Sequence, residues 1–212
     1  MKKNVYAIAL GLAGLSLTSF SVNAQAPTSR NCASMESLAA QMAADPTLAQ
    51  RMQSIENQAV QFAAQPATAQ RGTAVTVTIP VVVHVLYNTT AQNISDAQIA
   101  SQITVLNEDF QKLNADVSKT PSAFAGLAAN VNIAFTLAKR DPNGLATTGI
   151  ERKSTTVTSW GTDDKMKSTA TGGFNAWTSG QYLNLWVCNM GGGILGYAQF
   201  PGGAAATDGV VM

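Results

Sequence analysis

Tyr182-Leu-Asn-Leu-Trp-Val-Cys-Asn-Met190, continued by Gly191-Gly-Gly-Ile-Leu-Gly-Tyr-Ala-Gln-Phe-Pro-Gly-Gly203 and by Asp208-Gly-Val-Val-Met212, is the stretch from which the fold can be read. Tyr182 to Met190 has the apolar, branched and aromatic character of a buried strand, and the three glycines loosen the chain into a turn. The second strand carries Gly196 and is soon followed by Pro201, a combination suited to the exposed edge of a sheet. Asp208-Gly-Val-Val starts a further element. Its apolar ending carries no cap, charge or turn residue, so the sequence predicts that more structure belongs after Met212.

Working outward, 212 residues with 46% hydrophobic content can supply a sizeable core. Charged residues make up only 12% and the formal net charge is +1, which argues against a nucleic-acid partner or a polybasic membrane patch. Lys2-Lys3, the apolar run Val5 to Leu17 and the small residues Val22-Asn23-Ala24 form the three parts of a secretory signal peptide, residues 1–24. That run is shorter than the roughly 20 residues needed to span a bilayer, and no long apolar stretch follows. The expectation is a secreted chain with no membrane span after signal cleavage, in a compartment where cysteines can pair.

Residues 25–72 read as a helical pro-segment and linker. Leu48, Met52, Ile55, Ala59 and Phe62 form one apolar stripe, Asp45-Pro46 is a helix start, and Arg71 is the basic residue at which the linker would be cut. From residue 73 onward a single domain is expected. Val75 to Tyr87 is a strand with an edge-like Val/Thr half, Pro80, and a continuously β-branched buried half. Ser95 to Gln98 caps a helix with Ile99, Ile103, Leu106, Phe110 and Leu113 on one face. Val131 to Ala138 is a second strand, Asp141-Pro-Asn-Gly144 a turn and Ile150 to Lys153 a short extended piece, and residues 154–177 are irregular.

Catalytic signals within these residues are few. A zinc hydrolase needs three protein ligands with an open fourth position, and the chain has one histidine, His84, set inside an apolar strand as a hydrogen-bonded core residue would be. No nucleophile elbow or phosphate loop is present, and Asp163-Asp164 reads as a solvated turn. Two readings of Cys32 stand side by side. It can pair with Cys188, the default for two cysteines in an exported chain, or its thiolate can fill the open position of a zinc site in a latent precursor.

Three segments taken together resemble the pappalysin family of metzincin zinc metallopeptidases, in its bacterial cytophagalysin branch. They are Ile79 to Tyr87, the helix carrying Leu106-Asn-Glu-Asp-Phe110, and the block from Tyr182 to Cys188 with Gly196 to Pro201 and Asp208 to Val211. The Cys32-Ala-Ser-Met35 region and the helix to about Phe62 are similar to the pro-segment of that branch. The resemblance implies an α+β fold: a metzincin-like upper subdomain, a twisted mixed sheet with a backing helix and an edge substrate-binding strand, preceded by a helical pro-segment. It makes Leu195, Gly196, Tyr197, Ala198 and Gln199 the strand against which a protein or peptide substrate adds itself antiparallel. It gives Cys32 the role of inhibitory zinc ligand in the latent form and leaves Cys188 to pair with a cysteine outside these residues.

In the family the H-E-x-x-H-x-x-G-x-x-H helix follows the Asp-Gly-Val-Val strand, so zinc, with room for calcium, is implied for the full-length parent. No metal is expected on these 212 residues and no catalytic residue is assigned to them. The competing expectation is a non-catalytic exported protein, peptide-binding or adhesin-like and β-rich.

Overall fold

The computed structural model describes residues 31–65 and 75–212. The signal peptide expected at 1–24 and the linker with Arg71 lie outside the described residues. Strand β1 (Asn31–Cys32) leads into helices α1 (Ser34–Ala44) and α2 (Leu48–Ala63). The main body then runs β2 (Val77–Tyr87), α3 (Asp96–Phe110), a four-residue turn of helix α4 (Ser122–Ala125), β3 (Ile133–Leu137), β4 (Ile150–Ser154), β5 (Leu183–Val187), β6 (Ile194–Ala198) and β7 (Val210–Val211). The order across the sheet is β1-β6-β7-β5-β2-β3, with β4 also on β2, and every pairing is parallel except β6 with β7.

The β-branched run of β2 makes it the central strand. On one side Val77 to Val81 pairs with β3 and Val83 to Tyr87 with β4, while Val81 to Val85 pairs with β5 on the other side. Odd-numbered residues direct their main-chain groups toward β3 and β4, as in Val83 N donating to the Gly149 carbonyl. The missing N–H of Pro80 therefore points to the β5 side, one residue before that ladder begins at Val81. The proline costs no ladder bond, and the edge-like first half of the strand is the part that has a neighbour on one side only.

Strict alternation fills both faces of β2. Val81, Val83 and Val85 join Ile99, Phe135 and Leu185 beneath α3. Leu86 packs on the opposite face with Trp186, Trp160, Met166 and Tyr197. Helix α3 starts where Ser95 Oγ accepts from Gln98 N at 3.2 Å. Its apolar stripe ends sooner than the sequence predicts, because Lys112 adopts φ 58° and turns the chain away, leaving Leu113 69% exposed.

Asn107 carries a role that its polar character hides. Its Nδ2 donates to Phe135 O at 2.9 Å and its Oδ1 accepts from Phe135 N at 2.7 Å, so one amide side chain pairs with β3 as a strand would. Replacing Asn107 with Ala leaves both main-chain groups of Phe135 without that partner. The expected loss is about 2 kcal/mol in urea unfolding, with an unchanged denaturant slope.

Candidate substrate-binding edge

The turn into β6 depends on glycine. Gly192 and Gly193 have φ 66° and 74°, in the left-handed region that side chains disfavour. Within β6 the five expected substrate-binding residues differ in what they offer. Leu195 is exposed, whereas Tyr197 points inward and is buried. Gly196 must lack a side chain, because a Cβ there would lie 2.2 Å from Val211 O on the neighbouring strand. Gln199, just past the strand, ties down the following turn by donating from Nε2 to Ala204 O at 2.9 Å and accepting from Thr207 Oγ1 at 2.6 Å. Gln199 N faces inward to Gly209 O, while Gly196 O and Ala198 N face outward.

Those outward groups are taken by Ala33 and Ser34, which follow strand β1. Strand β1 lies along β6 with Asn31 opposite Ile194 and Cys32 opposite Gly196. Ala33 N donates to Gly196 O at 3.0 Å, and Ala198 N donates to Ser34 Oγ at 2.9 Å. The added strand is parallel, the reverse of the antiparallel direction expected for a substrate.

Helix α2 adds a second attachment. Arg51 Nε donates to Gly202 O at 2.7 Å, in the turn after β6, while its other nitrogens hold Thr47 Oγ1 at 2.6 Å and Asp45 Oδ2 at 2.7 Å. The Thr47 hydroxyl, followed by Arg51, holds the Asp45 carboxyl down to about 2. Along the apolar stripe of α2, Leu48 is buried, whereas Ile55 and Phe62 are exposed.

Behind the edge lies a polar cluster that the sequence does not announce. Lys167 has a fully buried side chain, pairs with Asp164 Oδ1 at 2.8 Å and donates to Thr207 O at 2.7 Å. Its Nζ also sits over the Tyr197 ring, 4.8 Å from the centroid, and Tyr197 OH donates to Asp164 Oδ1 at 2.7 Å. Burial pushes the Lys167 ammonium down in pKa against the opposing pull of Asp164, and burial pushes the Tyr197 phenol up. The solvated turn expected at Asp163-Asp164 is therefore half right. Asp163 pairs with Lys165 at the surface, whereas Asp164, at φ 59°, turns inward to anchor the irregular segment beneath the rim.

His84 is the hydrogen-bonded core residue that the sequence predicts. It is fully buried, with Nδ1 at 2.7 Å from Glu151 Oε2 and Nε2 at 3.0 Å from Asn184 Oδ1, and it stacks on Trp186 at 5.1 Å. Asn184 is itself oriented by Trp177, whose N–H donates to Oδ1 and whose carbonyl accepts from Nδ2. With both ring nitrogens engaged, His84 has none to offer a metal. Among the described residues no group of three or more His, Cys, Asp or Glu side chains is placed to hold one. A full set of three protein ligands for the zinc of a metallopeptidase is therefore not found among the described residues.

Both cysteines are free thiols, so the Cys32–Cys188 bridge held open by the sequence is not formed. Cys32 is exposed on the rim, with Sγ 3.3 Å from Ser34 Oγ, and the hydrogen bonds of Ser34 lower its pKa. Cys188 is partly buried at the end of β5 beside Met190 Sδ at 3.6 Å, and burial pushes its thiol up to about 12.

No family model and no curated protein matches the chain. Solved structures do. Tannerella forsythia mature mirolysin in complex with a cleaved peptide is 59% identical with a TM-score of 0.63, over 65% of this chain and 52% of that one. Mirolysin in complex with compound 9 is 58% identical with a TM-score of 0.63, over 65% of this chain and 53% of that one. A Tannerella forsythia promirolysin mutant is 49% identical with a TM-score of 0.71, over 86% of this chain and 58% of that one. The chain spans a little over half the length of the solved structures it matches.

Two measurements check this geometry. Iodoacetamide at pH 8 is expected to label Cys32 in the native protein and to reach Cys188 only after denaturant is added; equal labelling of both would contradict the burial of Cys188. Carbon-detected NMR titration is expected to place the Asp45 carboxyl near 2. Its midpoint should rise toward the usual range in Thr47→Ala, and by less in Arg51→Ala. A folded-state value below the unfolded one means that the support Asp45 gives the α1–α2 corner is complete above about pH 4 and fades as pH falls toward 2.

Proposed function

We propose that the chain belongs to the pappalysin-like metzincin metallopeptidases, with mirolysin as a relative, and that it is the precursor portion and substrate-binding half of a secreted zinc metalloendopeptidase. The observation that carries this reading is the pro-segment strand seated on the outward hydrogen-bonding groups of β6, with Cys32 opposite Gly196. A strand that can accept one extended neighbour through its main chain can accept another, and peptide recognition by strand addition uses the same row of groups. In the mature enzyme a protein or peptide substrate replaces β1 there, laid antiparallel along Leu195 to Gln199.

In the latent form Cys32 serves as the inhibitory ligand of the catalytic zinc. Residues 1–24 direct export, residues 25–72 are the pro-segment and linker, and cleavage at Arg71 begins maturation. No helix among the described residues is long and apolar enough to cross a membrane. The zinc and its activated water belong to parts of the relatives that this chain does not span. The chain's own contribution is to bind and align the peptide and to exclude it while latent.

Two experiments test the proposal. The purified 212-residue product is expected to carry no stoichiometric zinc and to leave casein intact, since one buried histidine is the whole imidazole supply. Chelator-sensitive casein cleavage by that product would overturn this division of labour. A chimera in which residues 75–212 replace the corresponding half of mirolysin is expected to be a chelator-sensitive peptidase. A folded, zinc-loaded chimera without activity would sink the assignment of β6 as the substrate strand.

A further inference from the structure

The pro-segment faces a geometric conflict at Ala33. Continuing a parallel ladder along β6 requires Ala33 to donate its N–H to Gly196 O and to accept from Ala198 N. The first bond is made, at 3.0 Å. The second is not made: Ala33 O accepts from Ser37 N at 3.0 Å as the first hydrogen bond of α1, and Ala198 N donates to a side chain instead. One carbonyl is claimed by both a helix and a sheet.

We infer that Ser34 resolves this conflict as a positioning residue, its hydroxyl standing in for the missing main-chain carbonyl at Ala198 N–H, so that the segment can close the substrate edge and begin a helix at the same point. Ala198 N donates to Ser34 Oγ at 2.9 Å, across 164 positions of sequence. As an acceptor there, Ser34 Oγ keeps its own hydrogen, and Cys32 Sγ lies 3.3 Å away. With Ser34 in place, Gly196 O and Ala198 N, the outward main-chain groups identified on the rim, are both occupied. Without it, Ala198 N–H is an open donor on an otherwise covered strand, the kind of group that an extended peptide or a second strand would seek.

The inference rests on the reading of β6 as a substrate edge, but its test needs neither metal nor catalysis, so either can fail without the other. Amide hydrogen exchange is followed by NMR in the 212-residue protein, in Ser34→Ala and in Ser34→Thr. In Ser34→Ala, exchange at Ala198 is expected to speed up about tenfold, the loss of one ordinary hydrogen bond. The Val83 amide in the central strand and the Gln41 amide within α1 should keep their wild-type rates. Ser34→Thr, which retains a hydroxyl, should restore protection at Ala198. Unchanged exchange at Ala198 in Ser34→Ala, or a Thr variant that behaves like the Ala variant, overturns the proposal. Equal loss of protection at Gln41 also overturns it, because Ser34 would then act only by starting the helix.

Discussion

The whole rim hangs on the close approach of β6 to β7. Strand β7 is two residues long, yet it fills the gap between β5 and β6, parallel to one and antiparallel to the other. Such a short strand can bridge two neighbours only if their backbones come very near. Gly196 permits this on one side, and on the other Gly209 sits at φ 142° where a Cβ would lie 2.3 Å from Asn184 O. Side chains at either position would force the strands apart, and the outer edge would move with them. The inward anchor of Tyr197 on Asp164 and Lys167 then sets the tilt of β6 from beneath.

Much of this architecture was legible in the residues. The β-branched run around Val81 to Val85 identified the central strand, the Ser95 cap marked the start of α3, and Gly196 with Pro201 marked a strand with an open side. These signals survive in sequence because each is local: a period of two, a cap, a residue lacking Cβ. The placement of β7 was not legible. Asp208 to Val211 read as the start of an element, and nothing in four residues says which strands it separates. Strand pairing is a property of distant partners, and it was the parallel register of β7 on β5 that decided it.

The polar interior was harder still. Asn107 reads as a solvent-facing residue on a helix, Lys167 as an ordinary surface lysine and Asp164 as half of a hydrated pair. Each is instead spent on a partner 28, 40 or 33 residues away. Composition predicts that charges stay in water, and the exceptions are those whose partners the fold brings close enough to repay desolvation. His84 was the reverse case. A lone imidazole within valines could only be a satisfied core group, although its partners Glu151 and Asn184 came from two different strands.

Residues 31–65 meet the main body through the two-residue strand on β6, the Ser34 contact with Ala198 and the Arg51 contact with Gly202, among others. Their strength lies in sharing a chain: residues 66–74 connect them covalently to β2, so each contact forms as an intramolecular event at a raised effective concentration. One peptide-bond cut anywhere in that interval would leave every hydrogen bond in place at first. It would turn closure of the edge into an ordinary bimolecular equilibrium, and dilution alone would then carry the blocking strand away.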